Sequence, residues 1–569
     1  MNANNNHKAT LDPIKKTIGI LQITRFGDLI QTYQAVHEIK KQYPEYKIIL
    51  IARSQFARPL SFILNKAFDK TYYLDTKSIF NNAETTGVSN SMKELNVFLS
   101  NVSSENFDVL INLSFSKSSN YLAGLITSNH KIGPYIDFQN KTIINDKWSQ
   151  LLYSTVMRGA LNPYSLVDLF KNIIGVKENS KNNRHLSLVK TEKKRNIIVH
   201  PFASQERKAW RAEKWVEVIY KALRENEGYT ITLVGAKNEI LKSQLITDNP
   251  LLKSFSHRII NLTGKTSLEE LSKEVEHAKL FVGHDSMVGH MAALVGTTTL
   301  TISLGNVRPH ETTPYHANAY NISPRTKCFP CFPTDTCAYF QCHHDIPYQV
   351  ISTAVKELIE KNELSSDWAK KSLSNFHISS VNIFKGQMVG GHQRILNLIE
   401  GHSDTLEIFR TFYRMSWSFV ISDQDENFPF PILNPTTHRD LLNGLTGLQH
   451  LFELAEFGKK YSRYILEEIS SQTPSVTKIK EFSKKIDEID QLQKMVEKTS
   501  PHLAPIIDYF TIRKGNLFGD NIVTLTESSY YVFEECAQIC SILYELSENT
   551  ISEFKNTYKS TSVRTDNNK

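Results

Sequence analysis

With 569 residues, 40% of them hydrophobic and 22% charged, the chain has the make-up of a soluble globular protein long enough for two or three packed cores. No run approaches the roughly 18 to 20 uninterrupted apolar residues that cross a bilayer, and the opening MNANNNHKATLDPIKK lacks the apolar stretch of a signal peptide, so the expected compartment is the cytoplasm. A net charge of +7, scattered among acids rather than packed into one block, argues against nucleic acid as the main partner and suits ordinary solvated charge, anionic small molecules or an anionic membrane surface.

In chain order, an Asn-rich leader (1–16) is expected to be flexible. TIGILQI then reads as a buried strand, TRFGDLI as a turn into a helix ending near residue 41, and KIILIA as a second strand, with FDVLINL (107–113) as a later one. Strand, helix and strand in alternation predict an α/β unit with a parallel sheet over 17–185. The polar stretch VKENSKNNRHLSLVKTEKKR separates it from a second unit of the same kind over 190–362, with strands NIIVHP, TITLVG, RIINL, KLFVGH and TLTISLG. Between them lie helical patterns, one of which opens on Ser267 and Glu270 at capping-box spacing. Two successive parallel α/β units imply a cleft at the carboxyl ends of both sheets. From 365 to 555 apolar residues recur at spacings of three and four, which predicts a mostly helical extension in which Cys536 and Cys540 pack in the core; residues 556–569 are expected to be disordered.

The stretch FVGHDSMVGHMAALVGT (281–297) sets a buried strand against a helix that begins near Ser286 or Met287. The first turn of such a helix presents unpaired N–H groups and suits an anion. Ser286 can cap the helix or donate to a phosphate, Gly289 allows a ligand or neighbouring backbone to come close, and His290 shares a face with Ser286. For an isolated turn, helix capping would be the better reading. In VHPFASQERKAWRAEKW another strand of the same unit runs into a loop with Arg207, Lys208 and Arg211, so cations gather at the same rim. A helix terminus offers only about half a unit of charge to a diphosphate, so such cations are the expected supplement. In QITRFGDLIQT of the first unit, Asp28 projects from a helix start; a carboxylate there can accept a proton from a substrate hydroxyl or simply serve the helix end.

Three blocks together, ILQITRFGDLIQTYQAVHEIKKQYPEYKIILIA, IIVHPFASQERKAWRAEKWVEVIYKAL and FVGHDSMVGHMAALVGTTTLTISLG, resemble glycosyltransferase family 9, the bacterial heptosyltransferases of the lipopolysaccharide inner core, in order and spacing across roughly residues 17 to 360. The resemblance implies a GT-B fold, two Rossmann-like domains with a facing cleft, here followed by the helical extension. It also implies an inverting transfer from ADP-heptose or a similar nucleotide sugar. By position, Asp28 matches the family's base, Lys208 the lysine at the donor phosphates, and Asp285, Ser286 and His290 its D-[ST]-G-x-x-H segment. Glu239 and Thr266 sit where the family contacts the nucleoside. The chain departs from the pattern at Met287 and Phe202, where family members carry Gly and side chains are therefore expected to intrude. The implied acceptor is a core or other cell-surface glycan, with a peripheral contact at the inner membrane; no metal is required for the chemistry.

Cys328, Cys331, Cys337 and Cys342 lie in one loop stiffened by Pro330 and Pro333, a pattern that favours a structural zinc or iron site over four unligated thiols. Family members carry similar segments, and some that modify autotransporter proteins bind iron through one. Two alternatives stand beside the leading reading. One is a protein heptosyltransferase that uses the extension to recruit its acceptor; the other is a nucleotide-sugar-binding scaffold without catalysis.

Overall fold

The structure, a computed structural model, describes residues 16–79, 87–155, 159–177, 193–332, 334–399, 404–424, 426, 428 and 431–566; nearly all of the expected leader and most of the polar separator lie outside them. Packing divides the chain into two units, Met1–Asn145 with Phe170–Lys177, and Asp146–Leu169 with Glu178–Lys569.

In the first unit, β1 (Thr17–Leu21), β2 (Lys47–Arg53), β3 (Lys70–Leu74), β4 (Phe107–Asn112) and β5 (Ser128–Ile132) form a parallel sheet in the order β3-β2-β1-β4-β5. The inner strands read as nearly continuous apolar runs because both of their faces are covered, as Ile48–Ala52 illustrate with 0% exposure at every position. Helices Phe26–Gln42, Val88–Ser103 and Lys117–Leu125 connect the strands, and a small antiparallel hairpin of β6 (Pro134–Ile136) and β7 (Thr142–Ile144) follows.

An ion cluster fastens the edge of this sheet. The Glu105 carboxylate receives Lys47 Nζ at 2.6 Å, Lys70 Nζ at 2.5 Å and the Tyr72 hydroxyl at 2.7 Å, and so ties the starts of β2 and β3 to the end of the helix Val88–Ser103. Partial burial pushes this carboxyl up, but the three donors outweigh it and hold it at about 2. A depressed carboxylate contributes stability that is present above its ordinary value and lost as pH falls toward the folded one. Glu105→Gln is therefore expected to cost about 1 kcal/mol at neutral pH, allowing for solvent screening of the lysines. The same variant should flatten the decline in thermal midpoint between its ordinary pH 4.5 and pH 2. An unchanged slope in a pH series of thermal melts would remove Glu105 from the account.

In the second unit, β8 (Lys194–His200), β9 (Thr230–Leu233), β10 (Ile259–Asn261), β11 (Ala278–His284), β12 (Thr298–Ile302) and β13 (Ala319–Pro324) run parallel in the order β10-β9-β8-β11-β12-β13. That is the doubly wound Rossmann arrangement, with strand order reversing between β8 and β11; in the first sheet it reverses between β1 and β4. Two antiparallel strands, β14 (Val381–Val389) and β15 (His392–Asn397), extend the second sheet beyond β13. The region from 365 is therefore not wholly helical, and the second α/β layer continues past 362. β14 and β15 are half-exposed and lack the long apolar run of inner strands, which is why the sequence pattern passes over them.

The helices Thr405–Ser422, Pro435–Ile469, Val476–Thr499, Ala504–Gly515 and Ile522–Asp566 pack around buried Phe409, Trp417, Tyr509 and Phe533. Gly458 permits the two longest to approach, since a Cβ there would lie 2.3 Å from the Phe533 ring. Cys536 and Cys540 are buried in this core. The segment Asp146–Leu169 groups with this unit rather than with the first sheet, because Trp148 Nε1 donates to Ser422 Oγ at 3.0 Å and the Tyr164 hydroxyl donates to Arg414 O at 3.0 Å. The last helix continues to Asp566, past the expected start of the tail at 556, and residues 567–569 lie outside the described residues; extending a helix that is already nucleated adds one hydrogen bond per residue fixed.

Candidate functional site

The carboxyl end of β1 leads through a turn held by buried Gln22, whose Nε2 donates to Thr32 Oγ1 at 3.1 Å while its Oε1 accepts from Ser114 Oγ at 3.1 Å. The helix Phe26–Gln42 starts there, and Asp28 Oδ2 accepts from Arg25 N at 3.1 Å. Asp28 thus serves the helix end, yet its other oxygen has no partner among the described residues. It lines a cavity of about 710 Å³ at the sheet's carboxyl edge, with Arg25 and Arg53 beside it and Leu74, Leu95 and Leu122 forming apolar walls. Arg53 was not among the expected site residues. Its guanidinium lies over the Phe56 ring at 4.6 Å and donates to Thr24 O at 3.3 Å, while its buried Nε has no partner among the described residues. The signal was a cation closing the apolar strand KIILIAR at the same edge as Asp28.

In the second unit, Lys208 lies in a short 3-10 turn (Glu206–Lys208) after β8. Its half-buried ammonium forms no hydrogen bond or ion pair among the described residues. The loop around it is fixed through its backbone. Trp210 N donates to His284 Nε2 at 2.8 Å, and Phe202 O accepts from His284 Nδ1 at 3.3 Å. On the other side His343 Nε2 donates to Arg207 O at 3.0 Å, and Lys214 Nζ bonds His343 O at 2.6 Å. Burial, reinforced by nearby His200 and His343, drives His284 down to about 3, so it is neutral; the two bonds require the proton on Nδ1.

After β11, the helix Met287–Leu294 begins with Ser286 at its N-cap. Ser286 makes no side-chain cap bond, and its buried hydroxyl has no partner among the described residues. Asp285 Oδ1 lies 3.7 Å from His290 Nε2. Gly289, expected to let a ligand or neighbouring backbone come close, faces the sheet: a Cβ there would meet Phe281 at 3.3 Å and Pro314 at 3.5 Å. Helical spacing alone does not tell which face turns inward. The Phe202 ring does not intrude on the loop's open side either. It is buried edge-on against His200 at 5.9 Å, in space that Gly235 leaves by having no Cβ. Met287 is partly exposed at the first helical position. Glu239 Oε2 accepts from Ala236 N at 2.7 Å and lies 4.0 Å from His200 Nε2, and half-buried Thr266 follows the turn at Gly264 that packs on the same segment.

Among the described residues no group of three or more His, Cys, Asp or Glu side chains is placed to hold a metal ion. The four thiols differ in environment: Cys328 is exposed, Cys342 is buried in the hydrophobic core, and Cys337 Sγ accepts from Phe340 N at 3.3 Å. Burial and the neighbouring thiols push Cys331 and Cys342 up.

Residues 98–339 match the family model for glycosyltransferase family 9 (heptosyltransferase). The match spans under half of the chain, and over it the chain is similar to glycosyltransferase family 9. The similarity marks the chain as an enzyme, a glycosyltransferase, and each of its two parallel sheets has a Rossmann-like strand order. Lipopolysaccharide heptosyltransferase 3 of Escherichia coli K12 is 24% identical over 286 residues, which span 48% of this chain and 79% of the relative. The lipopolysaccharide core heptosyltransferase OpsX of Haemophilus influenzae is 24% identical over 313 residues, 53% of this chain and 82% of the relative. Among solved structures, the E. coli heptosyltransferase WaaC with ADP aligns at a TM-score of 0.44 and 18% identity, covering 61% of this chain and all of that one. Lys208, Glu239, Thr266 and the 285–290 segment fall inside the matched family region, whereas Asp28 and Cys342 fall outside it.

Proposed function

We propose that the chain is a family 9 enzyme that moves a heptose, or a closely related sugar, from an ADP-sugar to a hydroxyl of a lipopolysaccharide core glycan, with inversion at the anomeric carbon. The reading is carried by the placement of unpartnered polar groups at the carboxyl edges of two doubly wound sheets. One edge offers the Asp28 carboxylate beside a cavity of about 710 Å³; the other offers the Lys208 ammonium and the buried Ser286 hydroxyl at a helix start. The names of the two relatives support the acceptor class.

In the proposed reaction Asp28 takes the proton of the acceptor hydroxyl as its oxygen bonds to the anomeric carbon, and the bond from that carbon to the diphosphate breaks. The departing diphosphate carries more negative charge than the roughly half unit at a helix N-terminus can offset, so Lys208 and Ser286 complete its stabilisation. Asp285 and His290, 3.7 Å apart, stand with Ser286 on the donor side, while Glu239 and Thr266 lie toward the nucleoside. No step is routed through a metal. The apolar side chains of Tyr121 and Leu125, 39% and 58% exposed at the rim of the Asp28 cavity, support a peripheral contact with a membrane that displays the acceptor.

Titration calorimetry of the full chain tests the donor. ADP-heptose is expected to bind at least tenfold more tightly than a UDP-hexose; equal affinities would defeat the assignment.

A further inference from the structure

We infer that His284 is a positioning residue for the donor-phosphate loop, fixing Lys208 relative to Ser286 through two backbone hydrogen bonds. The inference rests on reading Lys208 as the diphosphate-binding cation. Residues 202–210 leave β8 and carry Lys208 near their far end, and His284 holds both ends of this span: Phe202 O accepts from its Nδ1 at 3.3 Å, and Trp210 N donates to its Nε2 at 2.8 Å. His284 is also the last residue of β11 and immediately precedes Asp285 and Ser286. A single ring therefore joins the loop that bears the cation to the turn that bears the hydroxyl.

The ring has little freedom to do otherwise. It is 1% exposed and edge-on to Trp215 at 5.2 Å, and Trp215 in turn meets Trp210 at 5.5 Å. Both nitrogens are committed, one as donor and one as acceptor, so a charged imidazole would break the bond from Trp210. The strand that presents the ring is pressed against β8, because a Cβ at Gly283 would lie 2.8 Å from His200 O. Lys208 has no side-chain partner among the described residues, so the backbone of its loop sets where the ammonium stands. An error of an ångström in that placement is enough to cost about 10²-fold in turnover.

A double-mutant cycle tests this on the full chain, with donor kcat/KM as readout and thermal melts as a control for folding. His284→Leu, which removes both bonds, is expected to lower donor kcat/KM by about 10²-fold. In a Lys208→Ala background the same change should add less than about threefold, because the cation it positions is gone. His284→Gln, which can still accept from Trp210 N, should recover most of the loss. Equal losses in both backgrounds would overturn the inference and leave His284 as a packing residue. If His284→Leu lacks a cooperative melt, the comparison is made with His284→Asn, which keeps the bond to Phe202 and loses the one from Trp210; additivity there overturns the inference in the same way. Should Lys208→Ala alone leave donor kcat/KM unchanged, it is the phosphate assignment of Lys208 that fails, and with it the premise of the inference.

Discussion

Asp28→Asn is expected to lower kcat by about 10²- to 10⁴-fold, the range spanned by general-base contributions. The change is nearly isosteric. The asparagine oxygen can still accept from Arg25 N, the bond now 3.1 Å long at Asp28 Oδ2, so the helix start and the cavity beside it keep their shape. What disappears is the capacity to take a proton. ADP affinity should stay within about twofold, since the cation and helix N-terminus proposed to receive the diphosphate belong to the other unit. Asp28→Ala removes the helix-end bond as well, at a further cost of about 1 kcal/mol in stability, and is the poorer probe of chemistry. Steady-state rates with calorimetric ADP binding separate the two effects. Full activity in the asparagine variant would show that another group takes the proton.

Deleting 365–569 is expected to leave no soluble folded protein, rather than a minimal catalytic core. The cut removes β14 and β15 from the second sheet and strips β13 of its antiparallel neighbour along Tyr320–Pro324. It also takes Trp368, Leu373, Val381 and Ile383 out of the core that lies on that sheet. An edge opened in this way invites pairing with other chains. Within Asp146–Leu169, the buried Tyr164 hydroxyl loses Arg414 O and Ser418 Oγ, and Trp148 loses Ser422. A buried hydroxyl left without a partner costs about 1 to 3 kcal/mol, and the loss of buried aromatic packing adds several more. The extension is thus part of the second unit's core, and losing activity on its removal says nothing about acceptor recruitment. Soluble yield and the thermal transition of the truncated chain decide the matter. A truncated chain that melts cooperatively at the full-length midpoint would mean that the extension is detachable.

Much of the fold was legible because buried inner strands leave a plain mark. TIGIL, KIILIA, NIIVH and KLFVGH each read as a strand and each lies inside a sheet covered on both faces. The edge strands β3 and β5 were not legible, since KTYYL and SNHKI are short, face solvent along much of their length and lack the apolar run of an inner strand. Local chemistry that closes within four residues was also readable. Ser267 and Glu270 form the expected capping box, with Ser267 Oγ accepting from Glu270 N at 3.2 Å and Glu270 Oε2 accepting from Ser267 N at 2.8 Å.

Side-chain direction was less accessible. Gly289 was expected to let a ligand or neighbouring backbone come close, and only the structure shows that it lets its helix lie close on Phe281, while the cysteine spacing gave no hint that Cys342 turns into the core as Cys328 turns to solvent. Arg53 and His284 were given no site role for a related reason. Each closes a strand, and only the juxtaposition of strand ends at a sheet edge reveals what it touches.

The central claim is a single transfer between two substrates, and one experiment addresses it directly: incubation of the full chain with ADP-heptose and lipopolysaccharide of truncated core, followed by mass spectrometry and NMR of the product. The account predicts a stoichiometric release of ADP and a product heavier by one heptose, whose anomeric configuration is opposite to that of the donor. Release of ADP without a heavier acceptor, or a product that retains the donor's configuration, would contradict it.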